Sequence, residues 1–130
     1  MENHREDTVE TAAHTVTIEA APAGQEVRVE LDGVVLARTF EAKILHETGL
    51  PDRWYIPAMD VDASLLRPAE RHTTCPFKGE ASYWSVEVGG KLYENLIWTY
   101  PTPIPQSAEI AGMMSFYPDR TQLFVDGKRA

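Results

Sequence analysis

Asp32-Gly33 and Gly89-Gly90 each sit between two alternating apolar runs, and no other feature limits the folds open to this chain so strongly. A two-residue connection between antiparallel strands favours a type I′ turn, whose central residues both take positive φ, so glycine and aspartate are expected there. Val27-Arg28-Val29-Glu30-Leu31 and Val34-Val35-Leu36-Ala37-Arg38 thus form a predicted hairpin, with Leu31 opposite Val34 and Val29 opposite Leu36. One face is apolar; the other carries Arg28, Glu30, Val35 and Ala37. Ser82 to Val88 and Lys91 to Thr99 form a second hairpin, with predicted partners Val86–Tyr93, Trp84–Asn95, Tyr83–Leu96 and Ala81–Trp98. Large apolar groups fall on both faces of this ribbon. Such a ribbon suits a folded-over sheet, or one that packs a core on one face and walls a cavity on the other.

The remaining segments are short. Strand character begins at Val16. Phe40 to Thr48 fits a helical face only through Phe40, Ile44 and Leu45, and is read as strand. Asp52 to Pro57 reads as extended, and Asp60 to Leu66 as an acidic cap with a short helical turn stopped by Pro68. Tyr100 to Pro105 holds too many prolines for a central strand and reads as an extended surface loop. Met113 to Tyr117 and Thr121 to Val125 are the last predicted strands, closed by a turn at Asp126-Gly127. The expected class is mainly β (α+β with little helix), in folded-over antiparallel sheets.

Residues 1–13 carry Glu, Asp, Asn, His and Thr with little apolar content and are expected to form a disordered or loosely attached tail. Residues 14–130 then make a single β domain, and the chain of 130 residues is long enough to enclose one core. Net charge is −8, from 20 acidic and 12 basic residues with no basic stripe. An acidic protein of this kind repels phosphate backbones and anionic lipid, so neither nucleic acid nor a membrane is an expected partner. No apolar run approaches the roughly 20 residues of a membrane span, and no apolar signal region follows the polar N-terminus. The expected location is the cytoplasm. Cys75 is the only cysteine, which precludes an intrachain disulfide and a four-cysteine zinc site and suits a reducing compartment.

Four groups of residues, in order, carry a resemblance. They are Trp54-Tyr55-Ile56-Pro57-Ala58-Met59-Asp60-Val61; Thr73-Thr74-Cys75-Pro76-Phe77-Lys78-Gly79-Glu80-Ala81-Ser82-Tyr83-Trp84; Trp98-Thr99-Tyr100-Pro101; and Gly112 to Tyr117 followed by Val125-Asp126-Gly127. In that order they resemble the bacterial DUF427 family, over about residues 15 to 128. Phe77 stands where the family usually has tyrosine. The resemblance implies a fold similar to the β-tent, or Mss4-like, group of folded-over sheets. Relatives in that group often hold zinc between CxxC knuckles; this sequence has no CxxC, so no zinc knuckles are expected. A nucleotidyltransferase activity is sometimes attached to the family. The sequence offers it no Gly-Ser with paired aspartates and no glycine-rich phosphate loop.

Cys75-Pro76-Phe77-Lys78-Gly79 is the segment with the most chemistry. Pro76 pushes Cys75 toward an extended backbone, Gly79 allows a turn or a close backbone approach, and Lys78 in a tight loop favours the Cys75 thiolate. Against this stands the plain reading of Cys75 as a small buried side chain and Lys78 as a loop cation. Glu47, Tyr55, Lys78, Trp98 and Tyr100 together suit an aromatic-walled pocket with a few polar groups, although each aromatic is equally at home in a core. The candidate catalytic residues are Cys75, Lys78 and Glu47; the candidate ligand-binding residues are Tyr55, Lys78, Trp98 and Tyr100. His4 and His14 are assigned to the tail. His46 and His72 lie near Glu47 and Cys75, but their spacing matches no ligand pattern, so no metal and no cofactor is expected. Asp60 and Asp62 are read as turn caps.

Two readings of function result. The leading one is a small-molecule-binding domain, with or without catalysis, whose cleft lies between the Cys75–Gly79 loop and the strand ending at Trp98-Tyr100. The alternative is a non-enzymatic interaction or structural module, and either is compatible with a homo-oligomer.

Overall fold

The computed structural model describes residues 14–130; the expected tail at residues 1–13, with His4, lies outside them. Among the described residues eleven strands form three antiparallel sheets. The first holds β1 (Val16–Ala20), β4 (Lys43–Glu47) and β5 (Arg53–Tyr55), with β4 in the middle. The second runs β11 (Lys128–Arg129), β10 (Gln122–Val125), β2 (Val27–Leu31) and β3 (Val34–Thr39). The third runs β6 (Leu66–Cys75), β7 (Gly79–Val88), β8 (Lys91–Thr99) and β9 (Met114–Phe116). The chain is mainly β with antiparallel, folded-over sheets, as expected. Among the described residues helix is confined to short 3₁₀ turns at Ala58–Asp60, Ala63–Leu65 and Pro105–Ile110. No helix among the described residues is long and apolar enough to cross a membrane.

Both predicted turns have the predicted chemistry. Asp32 and Gly33 take φ of 51° and 77°, and Gly89 and Gly90 take 60° and 79°. The registers beyond them differ from expectation. Leu31 faces Val34, but Val29 faces Ala37 and not Leu36, because a bulge between Val29 and Glu30 leaves Leu36 unpaired. Leu36 and Ala37 are consequently both buried, and the Leu36 carbonyl accepts from the Asp62 amide instead. In the second hairpin Val86 faces Tyr93, and the register then shifts so that Trp84 faces Ile97 and Tyr83 faces Trp98. The expected Trp84–Asn95, Tyr83–Leu96 and Ala81–Trp98 pairs are therefore replaced. Asn95 at φ 53° forms the bulge, and its amide donates to Ser85 Oγ at 3.0 Å. The shift spans two residues, so it leaves the assignment of side chains to faces unchanged.

That parity gives the third sheet two different faces. Trp84, Ile97 and Phe116 join Val27, Val29, Leu31 and Leu36 of the second sheet in one core. On the opposite face Ala81, Tyr83 and Trp98 meet Leu45 and Tyr55 of the first sheet in another. Reciprocal 2.8 Å hydrogen bonds between Ile56 and Met114 join the first sheet to the third.

Two local expectations are revised. Leu66 to Cys75, given no strand in the sequence reading, is an edge strand, and Pro68 lies inside it instead of stopping a helix; an edge tolerates the missing amide donor. Asp62 caps its turn by accepting from the Ser64 amide, whereas Asp60 accepts from the Thr39 hydroxyl. The proline-rich stretch is a loop from Tyr100 to Ile104, as expected, and a 3₁₀ helix follows it at Pro105–Ile110.

His46 on β4 bridges Glu19 of β1 and Asp52 beside β5. Hydrogen bonds to Glu19 and then Asp52 raise its pKa above 6.5. A raised folded-state value stabilises the protein fully below the free-histidine pKa, and that contribution is lost as pH rises through the folded value. The site is exposed, so the effect is small. Urea unfolding of wild type should show a stability decline from pH 6 to pH 8 that His46→Gln lacks; equal pH slopes in both proteins would contradict this.

Candidate functional site

Between the first sheet and the inner face of the third lies a hollow of about 220 Å³. A single buried water needs only about 15 Å³, and pockets for drug-sized ligands start near 300 Å³. The space is that of a small metabolite. Its lining includes Glu47, Tyr55, Lys78, Trp98 and Tyr100, five of the six residues singled out from the sequence, together with Arg53, Tyr83, Tyr117, Leu50 and Pro51.

Sheet alternation explains the placement. Leu45 and Glu47 share a face of β4, and the register sets Lys43 opposite Tyr55 and Leu45 opposite Arg53, so all of these groups project to one side. Tyr83 and Trp98 are direct cross-strand partners on the facing sheet. The Trp98 indole donates to the Tyr55 hydroxyl at 3.0 Å across the gap, and Trp98 leans on Tyr117 with ring centroids 4.7 Å apart. Burial pushes the Tyr55 hydroxyl up to about 12, against the indole hydrogen bond, and burial likewise raises Tyr100. Both therefore stay protonated at neutral pH and present neutral hydroxyls.

Lys78 sits in the turn between β6 and β7, where its amide donates to the Cys75 carbonyl. Gly79 has φ 115°, and a Cβ there would come within 3.3 Å of Pro103 Cα. The expected turn and the expected close approach are thus both present at one residue. The Ile104 amide donates to the Lys78 carbonyl at 3.0 Å, clamping the turn to the proline-rich loop. Held in this way, Lys78 reaches back to an ion pair with Glu47 Oε1. Overall exposures of only 8 % and 9 % mean both charges have been taken largely out of water.

His14, assigned from composition to the tail, stands on the other side of Glu47. Its Nε2 is 3.3 Å from Glu47 Oε2, near enough to pair if the ring is protonated, and the ring stacks on Phe77 with centroids 3.9 Å apart. Bonds between Thr15 and Thr48 hold it there. The pairing of β1 with β4 overrides what composition alone suggests.

Cys75 ends β6 half-buried against the Leu45–Tyr55–Trp98 core and is not part of the lining. The Lys78 ammonium goes to Glu47 and not to the thiol. His72 Nδ1 lies 3.4 Å from Ser82 Oγ and His46 faces carboxylates on the outer face. Among the described residues no group of three or more His, Cys, Asp or Glu side chains could hold a metal ion.

Sequence reasoning did not reach Arg53, Tyr83 or Tyr117. Burial pushes the Tyr83 hydroxyl up, yet hydrogen bonding with Thr73, Arg71 and Tyr117 outweighs it and holds the group below the ordinary tyrosine value. Tyr117 moves the other way, through burial and its bond with Tyr83. Tyr83 and Tyr117 fall within the segments that carry the family resemblance, and Tyr83 alternates onto the face of Trp98, but Arg53 lies outside every such segment.

The family model described as "Domain of unknown function (DUF427)" matches residues 19–127. No curated protein matches the chain.

Removing one partner of a buried ion pair strands the other charge and costs about 3–5 kcal/mol, whereas replacing both by apolar groups of similar size is often neutral. Lys78→Met and Glu47→Leu should each lower urea-unfolding stability by about that amount, and the double variant should recover most of it. Additive losses would show that the two side chains are energetically independent and would contradict the buried pair.

Proposed function

The chain belongs to the DUF427 family, and from that premise we propose that its domain binds a small molecule in the hollow between Glu47, Tyr55, Lys78, Trp98 and Tyr100. One observation carries the reading: a buried ammonium–carboxylate pair borders an open space and is not sealed in dry core. A buried pair is weak support for stability, and pockets characteristically combine an aromatic wall with a few convergent polar groups. In this reading Trp98 is the stacking wall and Tyr55 and Tyr100 offer neutral hydroxyls. Lys78 and Glu47 supply a donor and an acceptor already in contact, the minimum for passing a proton to or from a bound group. A lone cysteine fits work in the reducing cytoplasm.

A thermal-shift panel of small metabolites tests this. A ligand at 100 times its dissociation constant adds about 2.7 kcal/mol, which raises Tm by several degrees in a domain of this size. Tyr100→Phe keeps the ring and removes the hydroxyl, so it should fold normally and shrink the shift; Lys78→Ala should abolish it. A uniformly silent panel, or a shift untouched by both variants, would favour the interaction-module reading.

A further inference from the structure

Two sets of arginines have contrasting partners. Arg28, Arg38 and Arg67 are ion-paired with glutamates on the outer faces of the sheets. Arg53, Arg71 and Arg120 form no ion pair with a carboxylate of the described residues. Each lies over an aromatic ring of the hollow, whereas the rings under Arg28 and Arg38 are Phe124 and Phe40, outside it. Arg53 sits 5.7 Å from the Trp98 centroid, Arg71 5.0 Å from Tyr83, and Arg120 6.0 Å from Tyr117. The only carboxylate in the lining among the described residues is Glu47, already taken by Lys78. Lys78 and Arg53 against Glu47 therefore leave the lining one positive charge in excess, on a chain of net charge −8.

We propose that the occupant of this hollow is a small planar acid, a single-ring carboxylate or phosphate ester, with its acid group on the Arg53 guanidinium and its ring against Trp98. The inference rests on the binding reading above and deepens it. Arg53 has the right chemistry for an anchor, because a guanidinium presents a planar fork to carboxylate or phosphate oxygens while its face stays stacked on an indole. Lys78, the expected anion contact, is engaged by Glu47, which leaves the anchor role to the arginine that lines the space. The body of the ligand meets Trp98, with Tyr55 edge-on to the indole at 6.4 Å, a wall that accepts a flat ring better than a branched chain.

Titration calorimetry on the full chain with 4-hydroxybenzoate, phenyl phosphate and 4-hydroxybenzamide tests the proposal. At least one of the two acids should bind about tenfold or more tightly than the neutral amide, with an affinity that falls as salt rises, and the stronger of the two identifies the acid group. Arg53→Gln should erase the preference, and Arg53→Lys should keep much of it. If the amide binds as well as both acids, the anion assignment fails while the pocket reading stands. If no probe binds the wild-type protein, the acid assignment fails, and the metabolite panel alone decides the pocket reading. Acid preference unchanged in Arg53→Gln would also overturn the assignment to Arg53.

Discussion

The contact between Lys78 and Glu47 ties the tip of one hairpin to the middle strand of another sheet, across the layer where the aromatic side chains gather. Its geometry depends on backbone far from either charge. Gly79 lets the turn lie against Pro103, and the Ile104 amide holds the Lys78 carbonyl. With its main chain fixed on one side, the lysine side chain can only project back over the first sheet. There, alternation along β4 turns Glu47 inward beside Leu45. Apolar residues of the same size would fill this place at no greater cost. The pair is therefore better explained by the space it borders than by the stability it supplies.

That space exists because the third sheet serves two cores. Trp84, Ile97 and Phe116 close one face against the second sheet, while Tyr83 and Trp98 look toward the first. The bulge at Asn95 matters here. A shift of two residues keeps each side chain on its face, whereas a shift of one, like that at Leu36, would have turned Trp98 into the other core and emptied the wall of the hollow. The larger irregularity is the one that preserves the site.

The turns were legible in the sequence because a type I′ turn states its requirement locally, in residues that tolerate positive φ. The registers were not, because bulges answer to distant partners: Leu36 to the Asp62 amide, Asn95 to the Ser85 hydroxyl. The strand from Leu66 to Cys75 was invisible for a different reason. Arg67, Pro68, Glu70, Arg71 and His72 give it no apolar alternation, and an edge strand with one solvated face does not need any. Of the site, Glu47, Tyr55, Lys78, Trp98 and Tyr100 could be named from motif chemistry, since polar and aromatic groups concentrated in a few short segments suggest convergence. Arg53 and Tyr117 could not. Nothing near them in sequence distinguishes a guanidinium that stacks on a pocket ring from one that reaches a surface glutamate. Only the folded neighbours of Trp98 decide that.

The electrostatics of the hollow act at short range. A chain carrying −8 repels anions at a distance, and the positive excess of Arg53, supported by Arg71 and Arg120, extends little beyond a Debye length of about 8 Å in physiological salt. An acid approaching this surface gains nothing from long-range steering and is attracted only at the mouth. In the proposed reading its affinity would come from slow release, through the stacked ring and the guanidinium fork, rather than from fast capture. The same balance limits how much charge is welcome. One acid group offsets the local excess, while each further negative charge meets the overall field with no matching cation in the lining. In the proposed reading, preference for an acid with few charges over a polyanion would follow from this balance alone.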